Sequence, residues 1–264
     1  MKLNRLDQEL VRRGLARSRE VAIELINSGS VLVDHVPALK PDRRVNQEVS
    51  IVIETEVDHY VSRGAHKLIS ALDEWKNIEV TNQVCLDAGS STGGFSQVLL
   101  ERGAKTVYCV DVGYGQLAWE VRNHPQVVVM ERTNIRNLDK GFLNPSPNIV
   151  VADLSFISLS QVLPALINNA TENADFLLMV KPQFEVGKDS LGAGGVVRDP
   201  ELRKNAIRKV IDSGLSLGLG CNGVVASALP GPKGNVEYFC WLKKGGTIIS
   251  DEQIEEAIAK GPQT

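Results

Sequence analysis

The sequence predicts an α/β protein, a doubly wound sheet of mostly parallel strands preceded by a small α+β domain. Three observations carry this. From residue 63 onward, short apolar runs alternate with helix-period stretches, the pattern of successive β/α units. The chain then offers two strand-like runs joined by Pro230-Gly231-Pro232-Lys233-Gly234, hairpin punctuation that closes such a sheet with an antiparallel pair. The first 60 residues have another texture, with two short helical patterns and two short strands.

At 264 residues and 43% apolar content, the chain can build one sizeable core and an appendage. Its net charge of −3 excludes coating of nucleic acid by bulk electrostatics, so any such binding needs a local basic patch. No run of roughly 18 apolar residues exists, so no membrane span is expected. Met1-Lys2-Leu3-Asn4-Arg5 lacks the apolar stretch of a secretion signal, and a cytoplasmic location is expected. Cys85, Cys109, Cys221 and Cys240 are scattered, and His35, His59, His66 and His124 are not spaced to join them, so no metal is expected. The cysteines read as buried thiols.

Residues 5–27 read as two short helices. Leu6, Leu10 and Val11 form one stripe before Gly14 breaks the pattern. Ser18 is placed to cap the second helix, whose inner face carries Val21, Ala22, Leu25 and Ile26. Residues 31–34 form a strand, Asp34-His35 a turn, and residues 49–53 a second strand. The acidic stretch 54–62 reads as a linker, which divides the chain into 1–60 and 61–264. A helix is expected over 64–75, and strands at 84–87, 106–111, 127–131, 148–153 and 176–180. Helices fall between them near 95–102, 115–122, 158–169 and 200–214. The closing pair spans 223–228 and 237–242, followed by a modest helix over 250–259.

Val84-Cys85-Leu86-Asp87-Ala88-Gly89-Ser90-Ser91-Thr92-Gly93-Gly94-Phe95 is the strongest motif. An apolar strand ends in an acid, a small-residue turn follows, and a helix begins near Gly93. Gly89 permits a sharp turn, and Gly93 and Gly94 let a ligand approach the helix start. Asp111, 24 residues beyond Asp87, ends the second strand, where an acid can accept both ribose hydroxyls of a nucleoside-type cofactor. The spacing is not the G-x-G-x-x-G of dinucleotide sites. A carboxylate at Asp87 directed at the ligand suits a cation better than a pyrophosphate. S-adenosylmethionine, with its ammonium and sulfonium, is therefore the expected cofactor, held by Asp87, Gly89, Gly93, Gly94 and Asp111. A bare glycine turn is the alternative, disfavoured because strand, loop, helix and second acid occur in order. Asn134, after the third strand, is placed to meet the adenine edge, although a plain surface turn fits it as well.

Asp153 and Lys181 each end an apolar strand abruptly, and ligands of open α/β sheets bind at that edge. Pro182 biases Lys181 toward an extended conformation. Glu237 starts the last, antiparallel strand at the same edge, and Lys67 lies on the helix before the first strand. Two lysines and two carboxylates beside a methyl donor have a clear use. A ribose 2′-hydroxyl is a weak acid, and a neutral lysine can take its proton as the methyl group transfers. Burial and a second ammonium lower a lysine pKa, while carboxylates oppose that shift. Ordinary surface charge is the competing reading, stronger for Lys67 and Glu237, whose positions are commonplace.

At these residues a resemblance becomes specific. Gly64-Ala65-His66-Lys67, the Asp87 to Phe95 loop, Ala152-Asp153-Leu154-Ser155-Phe156, Lys181-Pro182-Gln183-Phe184-Glu185 and Gly234-Asn235-Val236-Glu237 together resemble the TlyA (haemolysin A) family. That family is similar to the FtsJ-type RNA 2′-O-methyltransferases. The resemblance implies a Rossmann-like methyltransferase domain, a cofactor loop from Asp87 through Phe95 that adds Ser90 and Phe95 to the cofactor contacts, a catalytic tetrad of Lys67, Asp153, Lys181 and Glu237 with Lys181 as general base, and ribosomal RNA cytidine as target. Ser90-Ser91-Thr92 stands where FtsJ proteins often carry a proline-containing turn. The N-terminal 60 residues resemble the small RNA-binding domain of ribosomal protein S-four and of pseudouridine synthases. Residues 1–47 hold nine Lys/Arg against six Asp/Glu, and Arg12, Arg13, Arg17, Arg19, Lys40, Arg43 and Arg44 are candidates for one phosphate-facing surface, with a solvated helix face as the alternative. The glycine-rich segment 187–195 is expected to close over substrate or to be a plain surface loop. Two other functions remain open: a non-catalytic RNA platform, which the four polar residues argue against, and a pore former, which the lack of an apolar span argues against.

Overall fold

The computed structural model describes residues 3–53, 59–187, 191–231 and 233–262. The chain forms two compact units, Met1–His59 and Tyr60–Thr264. Most of the expected linker, residues 54–58, lies outside the described residues.

The small unit runs β1 (Asn4–Arg5), α1 (Leu6–Arg12), α2 (Arg19–Asn27), β2 (Val31–Val33), β3 (Val36–Pro37), β4 (Arg44–Val45) and β5 (Ile51–Ile53). Ser18 caps α2 by accepting the Val21 N–H at 3.3 Å. Asp34 and His35 take positive φ angles of 52° and 64°, the geometry of a two-residue hairpin between β2 and β3. Leu6, Leu10, Ala22, Ile26, Val31 and Val33 close a core of their own. Three strands, β1, β3 and β4, escape the sequence pattern because two residues carry no periodicity.

The large unit contains α3 (Gly64–Glu74), β6 (Val84–Ala88), α4 (Gly94–Glu101), β7 (Thr106–Val110), α5 (Trp119–Arg122), β8 (Val127–Met130), β9 (Ile149–Ala152), α6 (Leu163–Asn168), β10 (Asp175–Val180), α7 (Pro182–Glu185), α8 (Pro200–Ser216), β11 (Leu219–Ala226), β12 (Tyr238–Lys244) and α9 (Asp251–Lys260). The sheet order is β11-β12-β10-β9-β6-β7-β8, with β12 antiparallel to both neighbours. Side chains alternate across it. Leu86, Tyr108, Val150, Phe176 and Cys240 pack on one face with α6, α8 and α9, while Cys85, Val107, Val151, Leu177 and Phe239 pack on the other with α3 and α4.

Two expectations need correction, and one helix escaped the sequence pattern. Only Trp119–Arg122 is helical within 115–122. The helix expected over 158–169 is a 3₁₀ turn, Leu159–Gln161, followed by α6 with its proline in the first turn. The helix α7 is too short for its pattern to show. Phe239 is fully buried against Phe95, with ring centroids 5.8 Å apart. Phe239→Ala is expected to lower stability by about 3–5 kcal/mol, read from guanidinium denaturation.

Candidate active site

The turns after β6, β7, β9 and β10 and the start of β12 meet at one edge of the large unit's sheet. Gly89 has φ of 85°, and a Cβ there would stand 2.7 Å from the Asp153 carbonyl oxygen. Only glycine lets the first loop lie against the fourth. Gly93 and Gly94 have a packing role as well. A Cβ on Gly93 would meet Leu117 and Val121 at 3.0 Å, and one on Gly94 would fall 2.3 Å from Ser62 Oγ, so both glycines admit packing neighbours. Phe95 is likewise a core residue, 4% exposed, and Ser90 is buried.

Asp87 occupies an odd strand position and so points under α4, where its Oδ2 accepts the Ser96 hydroxyl at 2.6 Å. Its Oδ1 is buried without a hydrogen-bond partner. Burial, reinforced by the Asp153 and Asp111 carboxylates and opposed by Ser96, pushes the Asp87 carboxyl up to about 7. Asp111 accepts the Ser91 and Gly113 N–H groups at 2.8 and 2.7 Å, which fixes its carboxylate at the tip of β7. It lines a cavity of about 370 Å³ with Gly89, Ser91, Asn134, Asp153 and Phe156. Asn134 Oδ1 also caps its own turn through the Arg136 N–H at 3.1 Å.

A second cavity, of about 390 Å³, shares Ser155 and Phe156 with the first and is lined by Lys181, Gln183, Phe184 and Glu237. The four charged residues form two ion pairs around it. Lys181 Nζ lies 2.6 Å from Asp153 Oδ1, and Lys67 Nζ lies 2.6 Å from Glu237 Oε2. Alternation explains the second pair: Glu237 shares the face of Phe239 and Trp241, beneath α3, which carries Lys67. That pair is almost wholly desolvated, with side chains 11% and 1% exposed.

Sequence reasoning missed several residues here. Ser155 Oγ accepts a hydrogen bond from Lys181 Nζ at 2.9 Å. Phe156 has φ of 64° and is 91% exposed, with its ring centroid 5.1 Å from that of Phe184. A bulky side chain held in the left-handed region at a cavity mouth is strain kept at a site. Glu185, buried, accepts the Ser158 hydroxyl at 2.5 Å and the Leu159 N–H at 2.7 Å, so it ties the segment bearing Lys181 to the one bearing Asp153 and Ser155. Asn235 accepts the Val197 N–H at 2.9 Å and donates to the Gly195 carbonyl at 3.0 Å. It thereby holds the end of the glycine-rich segment, of which residues 188–190 lie outside the described residues. Ser155 and Glu185 sit inside motifs already singled out, but hydrogen bonding across loops leaves no mark in a sequence.

In the small unit, Asp7 and Glu9 on α1 are fully buried. Asp7 binds Arg5 and Arg19 at 3.0 Å, and Glu9 binds Arg12 at 2.5 Å and Arg13 at 2.8 Å. The Arg12 guanidinium, with Arg13 and Asn4 against the cost of burial, holds Glu9 well below the usual carboxylate range. Arg13 also donates to the Val49 and Gln47 carbonyls at 2.8 and 3.0 Å, so it serves the fold. Arg12 and Arg19 keep about half of their side chains in solvent, at 51% and 52%. Arg17, Lys40 and Arg44 are exposed and Arg43 is half-buried.

Among the described residues no helix is long and apolar enough to cross a membrane, and no group of His, Cys, Asp and Glu is arranged to hold a metal ion. A seven-stranded sheet with an antiparallel closing hairpin, a glycine turn after its first strand and an acid after its second define a methyltransferase-type α/β enzyme. The comparisons agree. The FtsJ-like methyltransferase family matches residues 60–244 and the S4 domain matches residues 4–51, and this chain belongs to the TlyA family of FtsJ-like methyltransferases. It is 52% identical over 264 residues to the 16S/23S rRNA (cytidine-2′-O)-methyltransferase TlyA of Mycobacterium tuberculosis, covering 98% of each chain. It is 38% identical over 269 residues to a candidate rRNA methyltransferase, YqxC, of Bacillus subtilis, covering 100% of this chain and 95% of that one. The solved structure of a candidate hemolysin from Streptococcus thermophilus superposes with a TM-score of 0.77 at 32% identity, covering 98% of this chain and 96% of that one.

Two outcomes are expected. Because the folded Asp87 carboxyl titrates near 7 and the unfolded one near 4, the folded state holds the extra proton between those values and loses relative stability as pH rises through that window. Asp87→Asn therefore raises the thermal midpoint at pH 8 and leaves it little changed at pH 4, as read by scanning calorimetry in the two buffers. Glu185→Ala, which unties the two loops, lowers methyl transfer about 10–100-fold, whereas Glu185→Gln keeps an acceptor for the Leu159 N–H, reverses the bond with Ser158 by donating to its hydroxyl oxygen, and retains most activity. Initial rates on ribosomal particles distinguish them.

Proposed function

We propose that the protein transfers a methyl group from S-adenosylmethionine to the ribose 2′-hydroxyl of a cytidine in ribosomal RNA, in the cytoplasm. The observation that carries this reading is the Lys181 amine, held by Asp153 and Ser155 at the boundary between two cavities.

The first cavity suits the cofactor. Asp111 presents a backbone-fixed carboxylate to a pair of vicinal hydroxyls, Val112, Ile135 and Val162 give apolar walls for a purine, and Asn134 lies beside them. The unpartnered Asp87 Oδ1 is the acceptor that a cationic ligand end would complete, directly or through a water. Of the residues expected to hold the cofactor, Gly89, Asp111, Asn134 and Asp87 remain in that role. Bound there, S-adenosylmethionine supplies an electrophilic methyl group on a sulfonium.

The second cavity takes the nucleotide. The oxygen would form its bond to the methyl carbon as the sulfur leaves as a neutral thioether; the 2′-O–H bond breaks, Lys181 Nζ in its uncharged form takes the proton, and Asp153 stabilises the ammonium so formed. Ser155 accepts a second N–H, which limits rotation of the amine. The buried Lys67–Glu237 pair fixes the opposite wall without adding net charge. Phe156 and Phe184 give an extruded base a face on which to stack. In the domain of residues 1–60, Arg12, Arg17, Arg19, Lys40, Arg43 and Arg44 contact phosphates, with Arg13 kept for structure. The similarity of nearly the whole chain to rRNA (cytidine-2′-O)-methyltransferases supports the substrate class.

Mass spectrometry of nuclease-digested rRNA, from particles incubated with and without the protein, is expected to show new 2′-O-methylcytidine. Lys181→Ala is expected to lower its formation about 10²–10⁴-fold while calorimetry still detects cofactor binding. Label on a base in place of the ribose would sink the lysine mechanism.

A further inference from the structure

One polar group in the nucleotide cavity has no part in the chemistry above. Gln183 lies on α7 between Lys181 and Glu185 and lines the cavity with Lys181, Phe184 and Glu237. Its amide oxygen, Oε1, is buried and has no hydrogen-bond partner. An acceptor stripped of water and left unpaired is costly, and native proteins leave few of them.

We propose that Gln183 reads the target base, accepting a hydrogen bond at Oε1 from the exocyclic amine of cytosine and donating from Nε2 to its ring N3. The proposal rests on the cytidine reading above. The Watson–Crick edge of cytosine sets an amine donor beside a ring acceptor, and a carboxamide sets an acceptor beside a donor at matching spacing. The other polar groups of the wall are committed or of the wrong kind. Asn235 has both ends of its amide engaged, with the Val197 N–H and the Gly195 carbonyl. Glu237 is paired to Lys67, and Lys181 to Asp153 and Ser155. Lys233 is a donor only and cannot receive an amine. Gln183 therefore brings to this wall a buried side-chain acceptor that has no donor. Its place on the same short turn as Lys181 couples base recognition to the position of the amine. A base seated on Gln183 brings its own ribose toward Lys181 two residues away, so recognition and proton transfer act on one nucleotide.

The test pairs a change in the protein with a change in the base. The mapped target RNA is prepared with cytidine or with 2-pyrimidinone riboside at the methylated position, which removes the exocyclic amine and keeps N3. Both RNAs are assembled into the particle and methylated by the wild-type protein and by Gln183→Met, which preserves side-chain volume. The wild type is expected to slow about 10–100-fold on the base lacking the amine. Gln183→Met is expected to slow by a similar factor on cytidine and then to treat the two RNAs alike, with cofactor affinity unchanged and the thermal midpoint not lowered. Equal wild-type rates on the two RNAs would overturn the proposal, whatever the variant does. So would a Gln183→Met protein that keeps the full wild-type preference. Absence of any 2′-O-methylcytidine from the wild-type reaction would overturn the cytidine reading itself, and this proposal with it.

Discussion

A sheet covered by helices on both faces leaves its polar side chains one outlet, the edge where strands end and loops begin. In the large unit, alternate residues of β6, β7, β9, β10 and β12 go to two apolar clusters, and nearly every central position is fully buried. A charge placed inside either cluster would cost several kcal/mol unless paired. Asp87 shows the tension: it remains within the strand, bonded to Ser96, and its carboxyl is pushed up to about 7. Asp111, Asp153, Lys181 and Glu237 fall just beyond their strands, and this common placement makes a site of them.

Once there, the charges hold one another. A buried ion pair contributes little net stability, because desolvation offsets most of the Coulomb attraction, but removing one partner leaves an expensive lone charge. The two lysine–carboxylate pairs therefore specify geometry more than they stabilise the fold. Glu185 does comparable work out of sight of the cavity. By closing the Ser158–Leu159 turn from the neighbouring segment, it sets the distance across which Lys181 meets Asp153 and Ser155. Phe156, strained and exposed, is kept in place by this scaffold.

The small unit solves a related problem with the opposite sign. A chain of net charge −3 must concentrate cations to meet RNA, and a cluster of arginines repels itself. Asp7 and Glu9, buried on α1, neutralise part of that cluster and orient it, leaving the outer halves of Arg12 and Arg19 in water. A count of nine basic residues against six acidic ones could not separate an arginine that faces solvent from Arg13, which bridges α1 to the 47–49 turn.

Period-two and period-3.6 patterns are local properties of a chain, so the large unit's strands, its main helices and their order were all legible before any coordinates. The loop from Asp87 to Asp111 was legible for the same reason, as a strand, turn, helix and strand in succession. The charged residues at 153 and 181 stood out as abrupt strand ends, those at 67 and 237 less so, and family resemblance joined the four into a tetrad. Tertiary structure alone decided which of them pair, because contacts between residues 170 apart depend on sheet order and on which face each side chain takes. It also showed the packing that Gly93, Gly94 and Phe95 serve, and brought Ser155, Gln183, Glu185 and Asn235 into the site. Hydrogen bonds between loops have no period, and an unpaired amide oxygen is a property of its surroundings, so neither is written in the order of the residues.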